Sequence, residues 1–350
     1  MASRSARWLR LAVRARAVIG GERGTFERIR RQFYAELWQR TAEALGAEIE
    51  PIGGELIRIR KGAASTLVRR SSLMLDSRVV LELAGNKPAC NRLFADAGLP
   101  IVRHVEFDLD SFEKAWEFAQ ECANPVVVKP ARAGSAGRGV TTGVTTRRAL
   151  KRAAWSALAH GDGILCEEQV AGASLRLLYL DGRCIDAIRR DPPSVVGDGH
   201  SNLRTLLRAE NEARRQAPWT AMHPLRSDRE MRQCLAAAGR SLAYVPGGDE
   251  IVRVKRVVNE NSARDNVRIL GEIHPSIVAA GRSAAAALPV RLAGVDFLTT
   301  DATAPLAQTG GIVHEVNTEP ALHHHVLCHG EPETDVAAIV LAHLLSGESR

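Results

Sequence analysis

A chain of 350 residues and 37.9 kDa, 45% of it hydrophobic, is long enough to bury a large core and to divide into two or three domains. No apolar run approaches the roughly 20 residues of a membrane helix, and the Arg-dotted start lacks the continuous apolar core of a secretory signal, so the expectation is a globular, cytoplasmic protein without a membrane span. The net charge of +7 is mostly dispersed Arg, and 4% aromatic residues offer little for base stacking, which argues against a nucleic-acid partner.

The six cysteines show no CxxC spacing, as expected of reduced thiols, and give no zinc signature. Of 47 basic residues only six are Lys: Lys61, Lys87, Lys114, Lys129, Lys151 and Lys255. A chain that so favours Arg places Lys where a compact ammonium is useful.

In chain order, the opening MASRSARWLRLAVRARAV reads as a basic tail. Apolar positions at helical spacing from Phe26 to Leu45, stopped by Gly46, predict an amphipathic helix. GELIRIRKG and STLVRR follow as short strands. Together these form a small α/β cap over residues 1–84, with no chemistry of its own.

Lys87 opens a helix that ends at Gly98, IVRHVEF is extended, and a further helix centres on 112–119. NPVVVKP is a β-branched strand whose end aims Lys129 into a cleft. The loop ARAGSAGRGV then brings Gly134, Ser135, Gly137, Arg138 and Gly139 together. It is flexible enough to lie over a polyphosphate and be ordered by it, offering backbone N–H groups and Arg138; an ordinary hairpin turn is the competing reading. Neither a Walker loop nor a Rossmann fingerprint fits, since no GK[ST] follows and GxGxxG is absent. After a helix over 147–160 come dense β signals. Glu167 and Glu168 end one strand, where they either hold ribose hydroxyls or mark a solvated strand end. The stretch Ser201 to Asp249 carries helices with Arg204, Arg208, Arg214 and Arg215 on a solvated face.

Leu292–Leu298 and Gly311–Val316 read as neighbouring strands. Glu315 and Asn317, two apart, share a face, and Asp296 lies in the adjoining strand. Three oxygen ligands then converge in a set that suits Mg²⁺ completed by substrate phosphates, the alternative being a polar pair at a sheet edge.

The series PVVVKP, GSAGRGV, EEQVAG, RRDPPSVVGDG, GVDFL and HEVNTEPALHHH resembles, in order and spacing, the ATP-grasp domain of cyanophycin synthetases and, more broadly, ATP-grasp carboxylate–amine ligases. The resemblance runs from about Lys87 onward. It implies an α/β (α+β) ATP-grasp fold with ATP held between two subdomains: residues 85–350, split into a lid (85–163) and a catalytic part (164–346).

The resemblance further implies that Lys87 and Lys129 contact ATP phosphates, that residues 134–139 cover them, and that Glu167 and Glu168 sit at adenine and ribose. Asp296, Glu315 and Asn317 would bind Mg²⁺. Arg190, Lys255 and Asn259 would serve catalysis, while Arg176, the Gly197–Asp198–Gly199 turn and His325 would face the acyl substrate. The expected activity is amide or peptide-like bond formation through an acyl phosphate, on amino acids or peptides, in a monomer or a homo-oligomer. A non-catalytic ATP-binding relative stays open as an alternative. Cyanophycin synthetases have a larger N-terminal part and a further C-terminal domain, so a complete enzyme of that kind is not expected. The segment NENSARDNVRILGEIHP departs from the family run, as does Ala321 with two extra histidines near it, which leaves the substrates unnamed.

Overall fold

The computed structural model describes residues 21–132, 137–217, 219–329 and 335–347. The basic tail and the loop positions Gly134 and Ser135 lie outside the described residues.

Alternation in the strands decides which side chains go to helices and which to the centre of the molecule. Strands β1 (Glu48–Gly53), β2 (Leu56–Lys61), β3 (Ala64–Arg69) and β4 (Ser72–Leu73) form an antiparallel meander behind the Gly21–Ala44 helix. Strands β5 (His104–Phe107), β6 (Val126–Arg132), β7 (Thr141–Val144) and β8 (Asp162–Glu168) form a second sheet in the order β5-β8-β6-β7. Val126 and Val128 of β6 and Ile164 and Cys166 of β8 face the Phe112–Glu121 and Arg147–Leu158 helices. The alternate residues, Val127 and Lys129 of β6 and Glu167 of β8, therefore point to the other side.

The largest sheet joins β9 (Ala173–Leu180), β10 (Arg183–Arg190), β13 (Asn266–Arg268), β14 (Leu292–Thr299) and β15 (Ile312–Thr318), ordered β13-β10-β9-β14-β15 and antiparallel throughout. Leu175, Leu177 and Tyr179 of β9 pack with Val295 and Phe297 of β14 under the Pro275–Ala287 helix. On the opposite face Leu178, Leu180 and Leu292 meet Phe33, Leu37 and Trp38 of the N-terminal helix and Val340 and Leu344 of the Val336–Leu345 helix. The N-terminal segment is thus part of the main core. A β11 (Ser194–Asp198) and β12 (Gly248–Arg253) ribbon carries its own cluster with the Leu203–Gln216 and Arg229–Ala237 helices.

Two details differ from the expected division at 163. Strand β8 crosses that point and pairs with β5 and β6. The Lys87–Asp96 helix, capped by Asn86, puts Cys90 and Phe94 into the core of the largest sheet rather than into the lid. The architecture is an α+β fold of several sheets with helices, arranged as the two subdomains of an ATP-grasp-like protein.

Candidate active site

A cavity of about 1010 Å³ separates the β5–β8 sheet from the largest sheet. From the first sheet come Lys129, Glu167 and Glu168. Lys129 Nζ lies 2.7 Å from Glu167 Oε2, both nearly buried, so Glu167 anchors the lysine. Glu168 accepts from the Asn124 amides and approaches Arg103 at 3.4 Å, leaving it at the rim.

From the other side comes a row of charge set by register. Glu315 is opposite Asp296, and Asp296 is opposite Arg176, so the three side chains share one face of β15, β14 and β9. Arg190, two residues beyond the partner of Arg176 on β10, joins them. Arg176 donates to both Asp296 oxygens at 2.6 and 2.7 Å, and Arg190 Nη1 comes within 3.9 Å. Asn317 Nδ2 lies 3.3 Å from Asp296 Oδ2. Lys87, at the start of its helix, reaches Glu315 Oε1 at 3.5 Å.

Burial would raise both carboxyls, but cations overcome it. Arg176 holds Asp296 below the ordinary carboxylate range, and Lys87 and Lys129 do the same for Glu315. Arg190 goes the other way: burial and the like charge of Arg176 press its guanidinium down to about 9. The site is thus a set of ionised acids inside an excess of cations.

Gly137, Arg138 and Asn259 also line the cavity, and Gly139 packs just outside it against His160 and Pro130. Gly137 has φ +67, a backbone conformation that L side chains rarely adopt, and a Cβ there would also have to push the Asn259 side-chain amide aside.

Five expected residues are elsewhere. Lys255 is 2% exposed and clamped by Asp228 at 2.7 Å and Glu260 at 2.8 Å, away from the cavity lining. Gly197, Asp198 and Gly199 shape the β11–β12 ribbon: a Cβ on Gly197 would strike Gly247 O, and Asp198 accepts from the backbone N–H groups of His200 and Ser201. His325 is fully buried, with Nδ1 2.8 Å from Asp186 Oδ2. Residues 323–326 form a helical turn, and it is His323 and His324 that reach the cavity.

His314 was missed for a definable reason. Asp296 pairs with Glu315 but Phe297 pairs with Val313, so His314 is the extra residue of a β-bulge. The bulge breaks alternation and turns His314 and the neighbouring Glu315 into the same cavity, His314 Nε2 lying 3.4 Å from Lys129 Nζ. Burial and Lys129 hold its imidazole below the usual histidine range. Period-two reading contains no signal for this residue. His223 is the other unforeseen lining histidine.

Residues 93–188 match the family described as D-ala D-ala ligase C-terminus. Over 285 residues, 80% of this chain, the sequence is 29% identical to cyanophycin synthetase of Trichormus variabilis, covering 31% of that protein. It is 25% identical over 296 residues, 79% of this chain, to the glutathione biosynthesis bifunctional protein GshAB of Streptococcus mutans, covering 37% of it. The chain thus spans about a third of the length of the curated relatives it matches. The bifunctional glutathione synthetase of Pasteurella multocida superposes with a TM-score of 0.56 at 20% identity, over 85% of this chain and 41% of that one. The chain therefore has an ATP-grasp-like fold and resembles, in sequence, cyanophycin synthetase and the glutathione biosynthesis bifunctional protein GshAB.

Proposed function

We propose that this protein is an ATP-dependent carboxylate–amine ligase that forms an amide or peptide-like bond and releases ADP and phosphate. The observation that carries the reading is the single cavity in which Lys87, Lys129 and Arg138 meet the in-register row of Glu315, Asp296 and Arg176. A carboxylate oxygen attacks the γ-phosphorus of ATP and ADP leaves; the amine nitrogen then attacks the acyl carbon and phosphate leaves with the activated oxygen. Both first reactants are anions, so fixed cations that hold them together lower the barrier. In this reading Lys87 and Lys129 neutralise phosphate oxygens, Glu168 at the rim meets the nucleoside, and Arg176 and Arg190 orient the acyl group.

Asp296, Glu315 and Asn317 would hold Mg²⁺. Glu315 and Asn317 share a face of β15 with Asp296 on the paired β14, and Asp296, whose oxygens accept from Arg176, would exchange that partner for the ion. Among the described residues no three or more His, Cys, Asp or Glu side chains gather into a metal cage. When bound, the ion would supply charge neutralisation at the substrate phosphates. The test is ADP release over pairs of amino acids and dipeptides, with mass spectrometry of the product. ATP- and amine-dependent appearance of an amide is expected; nucleotide binding with no coupled product under any pair would leave the non-catalytic alternative in its place.

A further inference from the structure

The N-terminal helix reaches the cavity indirectly, through two of its residues one turn apart. Arg30 Nη1 donates to Met222 O at 2.9 Å and lies 3.1 Å from Nδ1 of His223. Tyr34 Oη lies 3.2 Å from Nδ1 of His323. Both histidines line the cavity, at the end where Arg190 also stands.

These contacts assign protons. A guanidinium only donates, so His223 Nδ1 accepts and its hydrogen is on Nε2. Tyr34 is buried, which pushes its phenol up to about 12 and keeps it protonated; with that O–H directed at His323 Nδ1 rather than at Ser71, the hydrogen of His323 is on Nε2. His323 is only 7% exposed, and its Nε2 has no hydrogen-bond partner; Arg190 is 3% exposed, and its Nε has none either. The carboxylates bordering this end are engaged elsewhere: Asp296 with Arg176, Glu319 with Ser72 and Asp191 with Arg189. Buried donors without an acceptor are costly, and His323 and Arg190 both belong to the residues that line the cavity.

We infer that this end of the cavity is a subsite for a carboxylate, received by His323 Nε2–H, His223 Nε2–H and Arg190, with Arg30 and Tyr34 as positioning residues that fix both imidazoles as donors. Assigning that carboxylate to the acyl substrate, as a second acid group beside the reacting one, rests on the ligase reading. The subsite itself does not. The substrate class is then a dicarboxylate acid, and the N-terminal helix sets specificity without touching substrate.

The experiment is calorimetric titration of the full chain with succinate and with butyrate, which has the same carbon count and one carboxylate. Succinate is expected to bind about tenfold more tightly or better. Tyr34→Phe and His323→Leu are expected to reduce that preference to within about twofold, and His323→Gln, whose amide again offers an N–H, to keep most of it. Affinity for a non-hydrolysable ATP analogue should stay level in all three variants, showing that the fold is intact. Equal binding of the two acids, no succinate binding, or a succinate preference indifferent to Tyr34→Phe and His323→Leu overturns the subsite. A succinate preference that persists where the ADP-release screen finds no product overturns the ligase assignment alone.

Discussion

Glu315 and Lys255 are both charged and both paired, yet they stand in different surroundings. Glu315 faces the cavity beside Lys87, so Glu315→Gln should lower turnover by on the order of 10²-fold or more while the thermal midpoint moves little; a variant turning over normally would remove Glu315 from the chemistry. Lys255 is buried between Asp228 and Glu260. Lys255→Met should cost about 3 kcal/mol in urea unfolding, the low end for a broken buried pair because Asp228 is partly exposed. Its KM for ATP should not change, and a selective rise in that KM would return Lys255 to the site. The contrast shows what residue type alone conveys. Lys129 and Asp296 were legible because each sits in a strand whose alternation fixes its direction. Lys255 and His325 carry equally suitable chemistry, but partners such as Asp228 and Asp186 come from distant segments that no local pattern names, while Asp198 spends its carboxylate on the N–H groups of its own turn.

At the level of elements, helices and strands with strong periodicity stand close to where their patterns put them: the Gly21–Ala44 helix, the β6 strand ending near Lys129, and β14 with β15. What the pattern does not carry is contact between elements. The Pro275–Ala287 helix lies so close to β9 that a Cβ on Gly281 would fall 2.3 Å from Tyr179 Oη. Tyr179 is fully buried and donates to Val278 O at 2.7 Å, so it has no room to withdraw. Gly281→Ala is therefore expected to destabilise by about 1–3 kcal/mol, overpacking outweighing the gain of about 1 kcal/mol in helix propensity. Adding Tyr179→Phe should recover part of the loss by removing the atom in closest conflict. Additive destabilisation in the double variant would contradict this contact. The β-bulge at His314 belongs to the same scale: one extra residue redirects a side chain, and binary patterning cannot foresee it.

For the whole molecule, several imidazoles are held neutral. Burial lowers His314, His323, His324 and His325, and it brings His223 down to about 4 with Arg30 adding to the effect. Unfolded histidines take up protons near pH 6.5. As pH falls below that value the unfolded chain binds protons that the folded chain refuses, so stability drops with falling pH from about 6.5 downward. Urea midpoints at pH 8, 6.5 and 5.5 should decline in that order, and a midpoint that rises on acidification would contradict the buried neutral state. Finally, the row of Arg176, Asp296 and Glu315, with Arg190, takes its members from two strand pairs far apart in sequence, β9 with β10 and β14 with β15. Joining such distant pairs is slow, and the row is incomplete until both are in place. During refolding, capture of a fluorescent nucleotide should therefore appear with the slowest phase and be absent from any early collapsed species, making ligand capture a readout of completed topology rather than of compaction.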